Sequence, residues 1–155
     1  MRATVRLNDI VDALEMQSNE SSSYLDLDTG KVETVSHDLL SMAEEPDDDE
    51  EPDLPAWQKR EWEAAKRIVF SDRFRKLPTK FDVHEWGIME EFAHSVKPAR
   101  IREDLLNAID GSGAFRYFKD TVRRHGIEPD WYAFRANALR EIAAGWCEEH
   151  WVVWE

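Results

Sequence analysis

The chain has 155 residues, 33 acidic and 20 basic side chains, and a formal net charge of −13. That length suits one domain, and the acidity argues against non-specific attraction to nucleic acid or an anionic membrane. Seven Trp and seven Phe provide for an aromatic core, and the one cysteine, Cys147, excludes an internal disulfide.

No stretch approaches the roughly 20 apolar residues that a membrane helix needs. The first residues lack the apolar run of a signal peptide, so a cytoplasmic protein without membrane attachment is expected. Charge is unevenly spread. Residues 1–55 hold 3 basic and 16 acidic side chains, whereas residues 56–155 hold 17 of each. The excess therefore sits in the first third, most densely from Glu44 to Asp53.

In chain order, Leu7, Ile10, Val11 and Leu14 share one face of a short amphipathic helix ending near Met16. Gln17–Ser23 reads as a polar connection. Tyr24–Asp28 and Lys31–Val35 alternate around Thr29-Gly30, which predicts a hairpin with Gly30 at positive φ. A two-residue turn puts Leu25, Leu27, Val32 and Thr34 on one face; a bulged turn breaks that pattern. Ser36 caps a helix running to Met42 or Ala43. The acidic run follows as a loop, because dense like charge repels and has nothing apolar to bury.

Asp53 and Pro55 open a helix carrying Trp57, Trp62, Ala65, Ile68 and Val69. After the connector 77–80, Asp82 with Glu85 three residues on reads as a capping box. Its helix aligns Val83, Trp86, Met89, Glu90 and Ala93, with Gly87 as an internal weakness. Pro98 opens another helix, with Ile101, Leu105, Leu106 and Ile109 inward, and Gly111 ends it. A basic helix from Ala114 to His125 comes next, with Phe115, Phe118 and Val122 inward. Arg116, Lys119, Arg123 and Arg124 fall mostly on its other side. Pro129 and Asp130 begin the longest helix, through about His150, with Trp131, Phe134, Ala138, Ile142 and Trp146 as its stripe. The expected fold is α+β and predominantly α, an N-terminal helix and β-hairpin followed by four to five packed helices. One domain, 1–155, is expected, made of helix plus hairpin (1–43), acidic loop (44–54) and helical core (55–155).

Several stretches together resemble a bacterial family catalogued as uncharacterised protein family number 0158. They are Tyr-Leu-Asp-Leu-Asp-Thr-Gly at 24–30, Leu-Pro-Thr-Lys-Phe-Asp-Val-His-Glu at 77–85 and Ile-Met-Glu-Glu-Phe at 88–92. Gly-Ala-Phe-Arg-Tyr-Phe-Lys-Asp-Thr-Val at 113–122 and Trp-Tyr-Ala-Phe-Arg at 131–135 complete the set. The resemblance spans nearly the whole chain and implies a small bacterial cytosolic protein. It brings no catalytic residues. Gly87 and the Trp-rich end at 151–155 depart from the family pattern.

Asp26-Leu27-Asp28-Thr29-Gly30 touches two enzyme motifs, the Asp-x-Asp-x-Thr of dehalogenase-type phosphatases and the Asp-Thr-Gly of aspartic proteases. Both require a buried strand end in an extensive sheet, whereas here the motif sits in a lone hairpin. It is read as turn chemistry. Histidines 37, 84, 94, 125 and 150 lack metal-ligand spacing, so no metal site is expected. Cys147, beside Glu148, reads as a packed residue rather than a nucleophile. No phosphate loop or cofactor motif occurs.

The basic helix carries the binding expectation. Its Gly111-Ser112-Gly113 entrance either turns the chain, with Ser112 capping, or offers amides to an anion beside Arg116 and Lys119. The candidate binding set is Ser112, Gly113, Arg116, Lys119, Arg123 and Arg124, with Arg73, Arg75, Lys76 and Lys80 as possible extensions. The expected function is a non-enzymatic binding or regulatory module that takes a protein partner. Nucleic acid at the same face is one alternative, an acidic mimic or inhibitor acting through Glu44–Asp53 a second, and an enzyme a third.

Overall fold

The computed structural model describes residues 3–45 and 53–155. It contains helices α1 (Leu7–Glu15), α2 (His37–Glu44), α3 (Ala56–Phe70) and α4 (Lys80–Val83). After them come α5 (Glu85–Ser95), α6 (Ala99–Ala108), α7 (Ala114–Arg124) and α8 (Glu128–Glu149). Strands β1 (Ser21–Asp26), β2 (Val32–Ser36) and β3 (Phe74–Lys76) form one antiparallel sheet in the order β2-β1-β3. The fold is α+β, mainly α, with the N-terminal helix and hairpin as expected. After residue 55, five helices of ten residues or more follow, together with the single turn of α4. Contacts gather into two compact units, residues 1–80 with 143–155, and residues 81–142.

In the first unit, α1 buries Leu7, Ile10, Val11 and Leu14, the four residues its spacing aligned. The hairpin closes more widely than a two-residue turn. Leu25 pairs with Val32, Ser23 with Thr34, and the Asp26 N–H donates to the Lys31 carbonyl at 2.9 Å. Four residues, Leu27–Gly30, thus form the loop. The register has moved by two residues, so Leu25, Val32 and Thr34 keep a common face while Leu27 leaves the strand. Gly30 takes φ 75°, and a Cβ there would stand 2.8 Å from the Thr4 carbonyl oxygen.

Ser36 caps α2 by accepting from the Leu39 N–H at 3.3 Å. One apolar cluster joins Val35, Leu39, Leu40, Ala43, Trp62, Ala64 and Ala65, with Tyr24, Leu54, Ile68 and Val69 packed on it. Trp57, expected on the stripe of α3, is instead exposed. Pro55, not Asp53, stands at the N-cap of α3. Of the acidic loop expected over 44–54, Glu44 closes α2 and residues 46–52 lie outside the described residues. Strand β3, which the sequence reading did not anticipate, pairs with β1 and is too short to show a period. The chain ends also meet. Val5 and Trp154 form a parallel bridge, with Val5 N–H donating to Val153 and Leu7 N–H to Glu155.

In the second unit, α5, α6 and α7 pack with the first half of α8. Phe92, Phe118, Trp131 and Phe134 meet edge to face, with centroids 4.8–6.2 Å apart. The Trp86 indole donates to the Ile109 carbonyl at 3.0 Å, so its polar edge is satisfied. Asp82, expected to open this helix, lies inside α4, and the N-cap position of α5 falls to His84. A helical turn ends at Val83, His84 turns left-handed at φ 53°, and α5 restarts at Glu85. Glu85 instead binds the Arg135 guanidinium at 2.6 Å. Gly87 earns its place here: a Cβ would lie 2.9 Å from His84 Nδ1, where the histidine ring sits.

Candidate functional site

Helix α7 turns its inward arc through Ala114, Phe118, Thr121 and Val122, all buried. Those positions fall at i, i+4, i+7 and i+8, one stripe of a 3.6-residue helix. Phe115, expected inward, is 51% exposed. The small Ala114 takes the inner position, and the one-residue rotation carries Phe115 to the edge of the outer face. Thr121 is accommodated inside because its hydroxyl donates to the Tyr117 carbonyl at 2.7 Å.

The outer face then divides. At 100° per residue, Phe115, Lys119, Arg123 and Arg116 fall within one arc of the helix. Tyr117 and Arg124 fall on the opposite flank, with Asp120 between. Arg116 lies over the Tyr117 ring at 5.5 Å. Neither Arg116 nor Lys119 has a carboxylate within ion-pair distance among the described residues. Arg123 meets Glu128 at 3.5 Å but is 70% exposed. Arg124 is drawn to Asp104 at 3.6 Å, and His125 reaches the same carboxylate at 2.9 Å. The structure therefore brings Arg116, Lys119 and Arg123 together and adds Phe115, which sequence reasoning had assigned to the core. It places Arg124 on the opposite flank, in a surface ion pair with Asp104.

The Gly-Ser-Gly entrance is built differently from the expectation. Gly113 is the N-cap of α7 at φ 79°, and no side chain caps the helix, so Ser112 does not. The Tyr117 ring lies against Gly113, where a Cβ would be 2.9 Å from Tyr117 Cε2. Ser112 and Gly113 thus belong to the turn that positions α7. Of the other cations proposed to enlarge the face, Arg73 pairs with Asp26 at 3.3 Å in the first unit. Arg75 donates to the Asp72 and Phe74 carbonyls at 2.6 and 2.9 Å.

The side chains of Asp26 and Thr29 in the Asp26–Gly30 motif shape the loop. Asp26 Oδ1 accepts from the Asp28 N–H at 2.9 Å, the Gly30 N–H donates to the Asp26 carbonyl, and Thr29 Oγ1 accepts from the Lys31 N–H. This is turn chemistry. His37 bonds Ser22 at 2.8 Å, and His150 stacks on Trp146 while bonding its carbonyl. Among the described residues, no group of three His, Cys, Asp or Glu is placed to hold a metal ion. Cys147 is buried, and burial, with Glu148 beside it, pushes its thiol up to about 11. No helix among the described residues is long and apolar enough to cross a membrane.

The model of the Uncharacterised protein family (UPF0158) matches residues 2–153, nearly the whole chain. The chain belongs to this family. UPF0158 protein PA5073 of Pseudomonas aeruginosa is 30% identical over 148 residues, covering 95% of this chain and 83% of the relative. No solved structure matches. The UPF0158 match spans all five stretches that carried the resemblance in sequence, and one of them, 113–122, covers most of α7. Membership brings no reaction with it, so the functional reading rests on the geometry above.

Proposed function

We propose that this protein is a non-enzymatic binding or regulatory module that docks an acidic protein partner on the outer face of α7. One observation carries the reading: Arg116 and Lys119 stand exposed beside Arg123 and the half-exposed Phe115, with no carboxylate paired to either. A stripe of this kind supplies steering charge together with an apolar anchor. The side chains stand on a helix fixed by Phe118 and Val122, both essentially fully buried, so the face is held before any partner arrives.

Affinity capture from a bacterial lysate tests this. Replacing Arg116, Lys119, Arg123 and Arg124 together by Glu should remove the captured partner while the helical content stays unchanged. Retention of every partner would refute the reading. A second reading, single-stranded nucleic acid, draws support from Phe115, since an exposed ring beside cations is a stacking platform. The two separate by salt. Phosphate contacts must weaken with a log–log slope of about −0.7 per contact, and loss of binding on nuclease treatment would favour nucleic acid.

A further inference from the structure

A second surface lies in the first unit, between α1 and the start of β2. There Asp9, Asp12, Ala13 and Met16 face Lys31, Val32 and Glu33 across an open groove of about 370 Å³. We propose that this groove docks an extended basic peptide segment by adding it as a strand beside β2. Three observations converge on that occupant, and none depends on α7.

The first is charge. Asp9 and Asp12 are exposed neighbours on α1, and neither side chain has a hydrogen bond or ion pair among the described residues. Among the described residues, Glu33 pairs with Arg67 alone, at 3.7 Å. Against these carboxylates the groove sets one cation, Lys31, so its lining attracts positive charge. The second is the apolar floor. Ala13 and Val32 are half-buried, while Met16, 81% exposed, forms an adaptable wall for an aliphatic side chain.

The third is the backbone. β2 is an edge strand, bonded to β1 alone in the sheet. Asp26 N–H binds the Lys31 carbonyl, so by the alternation of an antiparallel ladder the N–H and C=O of Val32 point away from β1. Farther along this edge, the Ser36 N–H is already taken by Glu61 at 2.7 Å. The open end of the edge is therefore the end that lines the groove. An added strand bonded to Val32 would present alternate side chains to the floor, and its cations to Asp9 and Asp12.

The test uses the full chain and a fluorescent peptide of alternating Lys and Val, followed by anisotropy at low salt. The proposal expects saturable binding that falls about tenfold or more in the Asp9→Lys/Asp12→Lys variant. Both positions are exposed, and circular dichroism should show the fold unchanged. Glu148→Lys/Glu149→Lys makes the same change in net charge away from the groove and should leave binding intact. Methylating alternate amide nitrogens of the peptide removes strand bonds while keeping its charge, and should also cost about tenfold. Absence of binding to the natural chain would overturn the proposal. Equal loss in both charge variants would do so as well, as would full affinity of the methylated peptide.

Discussion

Phe115 and Phe118 differ by three positions and by nearly their whole environment. Phe118 is fully buried against Trp131 and Phe92, so Phe118→Ala should cost about 3–5 kcal/mol in denaturant unfolding. Phe115→Ala should stay within about 0.5 kcal/mol, as expected for a surface position. Sequence alone permitted either arrangement, since Phe115, Phe118 and Val122 satisfy helical spacing as well as Ala114, Phe118, Thr121 and Val122 do. Packing chose the second, using alanine where the wall is close and a threonine whose hydroxyl bonds the backbone. Hydrophobicity could not reveal that choice. At Gly30, the positive φ was legible from the turn, but the contact with Thr4 was not. Gly30→Ala combines backbone strain with that close approach, and should destabilise by more than about 1 kcal/mol in thermal or denaturant unfolding. Cys147 behaves as its burial requires. Because its folded pKa, about 11, lies above the ordinary value of 9.0, its contribution to stability is complete below pH 9. That contribution is lost as pH rises from 9 towards 11. Cys147→Ala should flatten this part of the stability–pH profile, and the native thiol should resist alkylation at pH 8.

Elements built from local pattern were the most legible. α1 buries the four residues its period aligns, and Ser36 caps α2 as its type and position imply. The departures occur where a distant partner decides. Glu85 is drawn to Arg135, fifty residues away, and a left-handed His84 splits the helix expected to run on from Asp82. Strand β3 exists because β1 offers it a ladder, and three residues carry too little pattern to announce it. The pairing of the chain ends is of the same kind. Residues 153–155 accept and donate three backbone bonds with Val5 and Leu7. Removing them should accelerate hydrogen exchange at the Val5 and Leu7 amides, leaving the α5–α7 amides unaffected. Equal acceleration throughout would show that the tail supports more than its own pairing.

For the molecule as a whole, the mainly helical α+β class followed from periodicity and punctuation, and family membership from motif order along the chain. The proposed binding face was legible as a charged helix but not in its composition. Which cations remain available depends on carboxylates brought by other elements, Asp104 for Arg124 and Glu128 for Arg123. Nothing within α7 itself encodes that division. It leaves Arg116 and Lys119, with Phe115 beside them, as the part of the surface able to receive a partner. The most direct measurement is quantitative partner capture by the natural chain, the Arg116→Glu/Lys119→Glu variant and the Arg124→Glu variant, at equal concentration and salt. The account predicts that the double variant loses its partner while Arg124→Glu, altered only on the Asp104 flank, keeps it. Undiminished capture by the double variant, or an equal loss in both, would contradict it.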